Sequence, residues 1–278
     1  MQTPWLRSTL QIATIFAFRM LGLFMLIPVF TIYADTLQGA TPVLLGLALG
    51  AYGLTQGLLQ LPFGMLSDRY GRKRLITLGL ILFALGSLVG ATTHTIYGMI
   101  VARILQGGGA IGSVLIAFLA DLTTEQHRTK AMAIIGATIG VSFCIAFILS
   151  PSLAANYGLA GIFYLTTGLA GVGLGILYSM PNPKPSKSVR NTWQDLKQVL
   201  RDPALLRLDA GIFSQHFILV ASFYVIPIVL HEHVRTSQIN QPWQWYGMIL
   251  VGAFLSMLPI IHYSEKYRNQ AFGKFFDT

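Results

Sequence analysis

Long unbroken runs of apolar residues alternate along this chain with short polar or glycine- and proline-rich breaks. A run of about 20 such residues matches a helix that crosses the hydrocarbon core of a bilayer. Eight are present, approximately at residues 10–33, 43–66, 75–92, 96–119, 131–153, 159–180, 205–230 and 245–263. None shows period-two alternation, so the pattern predicts transmembrane helices and not a β-barrel. The break after the sixth run is the longest. It opens on Pro181-Asn182-Pro183-Lys184-Pro185-Ser186-Lys187-Ser188, a solvated linker by composition. Trp193, Leu196, Val199 and Leu200 then recur at helical spacing, opposite Gln194, Asp195, Lys197, Gln198 and Arg201. That arrangement predicts a short amphipathic helix lying on the membrane surface. The pattern divides the chain into a six-helix unit over 1–180, a linker over 181–203 and a two-helix segment over 204–278.

Composition agrees with this reading. Of 278 residues, 54% are apolar and 10% charged, whereas a soluble domain carries about 25% charged residues. A soluble globular protein and a disordered chain are both excluded. The single cysteine, Cys144, excludes a disulfide scaffold. The net charge of +9 acquires its meaning from its distribution. Sixteen of the 19 Lys and Arg residues fall before span 1, between spans 2 and 3, 4 and 5, and 6 and 7, or after span 8. Arg235 alone falls on the opposite side, while Arg19 and Arg103 lie inside spans. Basic loops are retained in the cytoplasm, so both termini are expected there, in the inner (plasma) membrane of a cell. The surplus charge is thereby explained as topology, and no nucleic-acid partner is expected. Span 1 is longer than the apolar core of a signal peptide and lacks a small-residue cleavage pattern, so it is expected to remain.

The break between spans 2 and 3 reads Gly64-Met65-Leu66-Ser67-Asp68-Arg69-Tyr70-Gly71-Arg72-Lys73-Arg74. Gly64 lies one helical turn before Asp68 and would let another helix approach, and Gly71 suits a tight reversal. Asp68 stands at the end of a helix, where the dipole disfavours a carboxylate, so a cationic partner is expected. Arg72 is nearest by spacing, and Asp121, at the same end of span 4, can share it. Topology would account for Arg69, Arg72, Lys73 and Arg74, but for neither the aspartate nor the two glycines.

These residues resemble the cytoplasmic loop motif of the major facilitator superfamily, G-x-x-x-D-R-x-G-R-R/K, at every defined position. Arg103-Ile104-Leu105-Gln106-Gly107 is similar to the R-x-x-Q-G segment of proton-coupled members, and the chain looks most like the drug:proton antiporter branch. Where that branch carries G-P-x-x-G-G at the end of helix 5, this sequence has Ser150-Pro151-Ser152-Leu153-Ala154-Ala155. The resemblance implies an all-α polytopic fold: a complete N-terminal six-helix bundle followed by the first two helices of a C-terminal bundle, where the family has twelve. It also implies that helices 2 and 5 line the interface between halves. Gly46, Gly50, Gly53 and Gly57 on span 2, with Gly136 and Gly140 on span 5, are small-residue pairs suited to such an interface, or to static packing within one half.

Ionisable side chains inside a bilayer are costly and mark candidate sites. Arg19 lies in span 1, Arg103 in span 4 and His216 in span 7, and the two arginines fall at comparable distances from their helix starts, as inverted three-helix repeats would place them. Every Asp and Glu lies near a span end or in a loop, which leaves His216 as the mid-membrane group whose ordinary pKa, about 6.5, suits proton coupling. Gln56, Gln60 and Gln106 complete the proton or substrate candidates. The expected function is a secondary active transporter of a small amphipathic molecule, proton-coupled, working by alternating access. The alternative is a truncated, transport-inactive fragment or partner subunit of such a protein. No zincin, nucleophile-elbow or Walker pattern occurs and the histidines are scattered, so neither an enzyme, a metal site nor a cofactor is expected.

Overall fold

The computed structural model describes residues 4–181, 201–236 and 252. Its helices are α1 (Pro4–Phe24), α2 (Phe30–Tyr33), α3 (Pro42–Tyr70), α4 (Arg72–Thr92), α5 (Ile96–Gly108), α6 (Gly112–Leu122), α7 (Glu125–Ser179) and α8 (Pro203–Thr236). The surface helix expected around Trp193 and the eighth span, apart from Gly252, lie outside the described residues. Among these residues the one departure from helix and loop is an isolated bridge of Gln38 to Thr95. Five helical stretches are long and apolar enough to cross a membrane, with α5 and α6 together making one of them.

Local chemistry sets the helix ends. The Thr41 hydroxyl accepts from the Leu44 N–H at 3.3 Å with Pro42 just inside α3, and Thr95 accepts from the Gly98 N–H at 3.1 Å. Gly71 ends α3 and opens α4 at φ 95°, a conformation that L side chains avoid, so the sharp reversal requires glycine there.

Four of the expected spans depart from one straight helix each: two are interrupted and two run together. Span 1 stops at Phe24, passes through turns over 25–29 and resumes at Phe30, because Pro28 has no N–H to continue the helix. A backbone carbonyl freed at such a break must find a donor inside the membrane. The Ser150 hydroxyl, itself fully buried, donates to the Met25 carbonyl. Span 4 is broken between Gly108 and Gly112, with Gly109 at φ −74°, ψ 47°. Spans 5 and 6 run together as α7, which would be about 80 Å long if straight. Gly158, at φ 62° and ψ −168°, folds it back on itself. Ala131 and Ile135 consequently share one apolar cluster with Leu177 and Met180, while Ala146 and Ala154 share another with Leu159 and Ile162.

The resulting unit is graded from inside to outside. Two thirds (67%) of the apolar stretch of α5–α6 and half (50%) of that of α4 are buried, against 22% of α3 and none (0%) of α8. α1 packs along α7, with the Trp5 ring stacked on His127 at 4.5 Å and the Gln11 amide donating to Ser179 Oγ at 3.0 Å. α8 lies outside this unit and touches it through the Tyr224 hydroxyl, which donates to the Pro42 carbonyl at 3.0 Å.

Candidate functional site

At one end of the unit Arg72 gathers three helices. Its Nη2 stands 2.6 Å from Asp68 Oδ1 at the end of α3, and its Nε donates to Asp121 Oδ2 near the end of α6 at 3.0 Å. Its Nη1 donates to Ser67 Oγ at 2.5 Å, and that hydroxyl donates in turn to the Gly64 carbonyl at 2.6 Å. A cation at the start of α4 and carboxylates near the ends of α3 and α6 each oppose their own helix dipole, and pairing them offsets all three costs at once. Gly64 has Ser113 Oγ of α6 at ordinary contact distance, 3.7 Å from where a side chain would begin. Arg69 lies over the Tyr70 ring at 5.5 Å, and Arg74 is exposed. Lys73 donates to the Met180 carbonyl and so ties the end of α7 to the same turn.

Inside the unit the two arginines have different surroundings. Arg103 donates from Nη1 to Gln106 Oε1 at 2.7 Å, and its guanidinium carbon stands 4.5 Å from the centre of the Tyr52 ring. Gln106 Nε2 donates to Ser87 Oγ at 2.8 Å, and Ser87 donates to the Phe83 carbonyl at 2.7 Å. Among the described residues these neutral groups hold the cation through Nη1 and its ring contact, with Nε meeting no acceptor, and both ends of the Gln106 amide are engaged. Arg19 is equally buried, yet none of its three side-chain nitrogens meets an acceptor among the described residues.

Gln60 and Ser113 line a cleft of ≈ 490 Å³ between α3 and α6, together with Gly57, Leu61, Gly64 and Met65. The Ser113 hydroxyl donates to the Gln60 carbonyl at 3.1 Å. Gln56 is half-buried and does not line this cleft. His216 is exposed on α8, its Nδ1 2.9 Å from the Ile212 carbonyl of its own helix, and it joins neither arginine. A side chain at Gly46, Gly50, Gly53, Gly57, Gly136 or Gly140 would begin with no atom within 4 Å among the described residues, so static packing inside this unit does not explain these glycines. No group of three or more His, Cys, Asp or Glu is placed to hold a metal among the described residues.

Sequence reasoning missed Ser67, Ser87, Tyr52 and Ser113. Ser67 occupies an unspecified position of the loop motif, and a hydroxyl one residue before the aspartate was the available signal. Ser87 and Tyr52 gave no signal, because each meets its partner from another helix.

Residues 12–276 match the profile described as Major Facilitator Superfamily. The chain is 41% identical over 266 residues to the inner membrane transport protein YajR of Escherichia coli (strain K12), covering 94% of this chain and 58% of that protein. It is 34% identical over 159 residues to multidrug resistance protein 2 of Bacillus subtilis (strain 168), covering 54% of this chain and 38% of that relative. Among solved structures, the POT family transporter PepTSo superposes with a TM-score of 0.60 at 17% identity, over 90% of this chain and 58% of that one, a likeness of fold. The chain spans little more than half the length of YajR.

Proposed function

This chain belongs to the major facilitator superfamily, a family of multi-pass membrane transporters, and from that premise we propose that it is part or all of a secondary active transporter. The substrate is a small amphipathic molecule, moved by alternating access and coupled to protons. Antiport and efflux are the directions that the similarity to a multidrug resistance protein favours. In this reading residues 1–180 form one half of the transporter, 181–203 a cytoplasmic linker and 204–278 the beginning of the other half, with both termini in the cytoplasm.

The observation that carries the proposal is a contrast along α3. Its C-terminal end is bound by Arg72 to α4 and α6, while Gly46, Gly50, Gly53 and Gly57 meet nothing among the described residues. A packed unit that presents an open close-packing face can dock a second body and release it, as alternating access requires. Arg19, Arg103, Gln56, Gln60, Gln106 and His216 are the intramembrane residues this reading assigns to the substrate or the proton, with the Asp68–Arg72–Asp121 cluster holding one conformation.

Accumulation of a panel of radiolabelled amphipathic compounds in cells producing the protein tests it. Lowered accumulation of at least one compound is expected, lost on adding a protonophore and lost in Asp68→Asn at equal membrane abundance. Unchanged accumulation across the panel would refute efflux, and full activity of Asp68→Asn would remove the cluster from the mechanism. A reporter active only outside the cytoplasm should give signal when fused after Arg235 and none after Arg190, and the reverse would overturn the orientation.

A further inference from the structure

Among the described residues α8 meets the six-helix unit along one part of its length. From Pro203 to Ala221 every described side chain is exposed, and half-burial begins at Ser222 and Tyr224. There α8 packs on α2, and the Tyr224 ring lies against the apolar cluster that contains Met25, Phe30 and Leu45. The Tyr224 hydroxyl donates to the Pro42 carbonyl at 3.0 Å. A helix fastened beyond its middle and clear over about its first five turns is an arm, not a packed wall.

The acceptor, by contrast, is mounted rigidly. The ring of Pro42 fixes φ in the first turn of α3, and the Thr41 hydroxyl caps that turn through the Leu44 N–H at 3.3 Å. Just upstream, Gln38 is tied to the turn between α4 and α5 in both directions. Its N–H donates to the His94 carbonyl at 3.0 Å, and its carbonyl accepts from the Ile96 N–H at 3.1 Å. The Pro42 carbonyl therefore belongs to a braced corner of the unit, whereas Tyr224 belongs to the arm. The strength of the contact also suits release. Hydrogen bonds between membrane helices shift a two-state equilibrium about 3-fold on average and about 16-fold at the largest. One such bond biases a conformation without locking it. At the opposite end of α3, Arg72 is held inside the unit by two carboxylates; at this end α8 is held by a neutral hydroxyl and a ring.

We propose that the Tyr224 hydroxyl and the Pro42 carbonyl form a releasable latch that holds α8 on the Pro42 end of the unit. The role of the latch rests on the transport reading. In that reading the latch closes one mouth of the path while the first turns of α8 stand clear, which is one of the two states of alternating access, and breaking it frees α8 for the other. With both termini in the cytoplasm, the latched mouth is the outer one. The hydroxyl is the working part: phenylalanine at 224 keeps a ring against the apolar cluster and gives the Pro42 carbonyl no donor.

Nitroxide labels on cysteines at 43 and 225 read the latch directly, because Val43 and Val225 are exposed neighbours of its two residues. Cys144, the single native cysteine, is exposed and is first replaced by serine. Double electron–electron resonance on the purified full chain in a neutral maltoside detergent should resolve a short and a longer distance. The ratio of short to long is expected to fall about 3- to 16-fold in Tyr224→Phe. Tyr97→Phe removes a hydroxyl from an exposed tyrosine at the same end of the unit, beside Gly39, and should leave the ratio unchanged. An unmoved ratio in Tyr224→Phe, or an equal fall in Tyr97→Phe, overturns the latch. No substrate or gradient enters the measurement, so that failure leaves the transport reading standing. A shifted ratio in a chain that changes the accumulation of no compound would keep the conformational equilibrium and remove its role in transport.

Discussion

Two helices of the same unit are rich in glycine and use it in opposite ways. On α4, a side chain at Gly86 would begin 2.6 Å from the Gln106 backbone nitrogen and 2.7 Å from the Ala102 carbonyl oxygen, and one at Gly90 would begin 2.7 Å from the Phe163 ring. Gly107, in the last turn of α5, and Gly109, in the span 4 break, are as confined, the first by the Tyr52 carbonyl and the second by the Gly79 carbonyl. On α3, a side chain at Gly46, Gly50, Gly53 or Gly57 would meet nothing within 4 Å among the described residues. Gly86 and Gly90 are four residues apart, just as Gly46 and Gly50 are. Identical spacing therefore serves a closed contact in one helix and an open face in the next. Lipid offers apolar surface as readily as protein does, so membrane helices hold together through close van der Waals approach and hydrogen bonds. The α4 glycines supply that approach within the unit. Those of α3 make no such approach among the described residues.

Substitution should expose the difference in order of size. Gly86→Ala presses a methyl group against backbone that cannot rotate away, and overpacking of this kind costs about 1–3 kcal/mol. A lowered thermal unfolding midpoint in detergent is expected, and an unchanged one would show that α4 and α5 can separate without loss. Ser87→Ala acts on the same contact through its hydrogen bond. It leaves Gln106 Nε2 without its acceptor and should cost about 0.6–1.7 kcal/mol, the range from the mean to the largest value measured for such bonds between membrane helices. Combined with Gly86→Ala, its effect should be less than additive, because both loosen one interface; strict additivity would argue that they report on separate contacts. Gly50→Ala should be the smallest, within about 0.5 kcal/mol of the unaltered chain, as expected for a substitution that touches nothing. A large stability loss from Gly50→Ala would mean that the α3 face is already closed, and would break the comparison outright.

The two buried arginines repeat the lesson in polar terms. Arg103 and Arg19 look alike in sequence, each an Arg-x-Leu inside an apolar span. Gln106, three residues from Arg103 on the same helix, was a partner that spacing could find. Ser87, 19 residues away and on another helix, was not. The environment of Arg19 depends on Gly112 and Gln60, which reach it only after α3 and α6 have packed. His216, the mid-span proton candidate, stands exposed on α8 with its imidazole against its own helix, and spacing within that helix was enough to place it there.

Much of this protein was readable before folding because the bilayer writes its demands along the chain. The hydrocarbon core imposes apolar runs of nearly constant length, and the expense of charge within it drives Lys and Arg into particular loops. The apolar helical stretches, the turn at Gly71 and the pairing of Arg72 with Asp68 and Asp121 were legible from local pattern and spacing. Helix interruptions were less legible, since a pause at Pro28 or Gly109 leaves the hydropathy of the run intact. Which glycines close a contact, which arginine is compensated and where a cleft opens depend on atoms brought together from distant parts of the sequence. Periodicity assigns a residue to a face of its helix; what stands opposite that face is settled only when the helices pack.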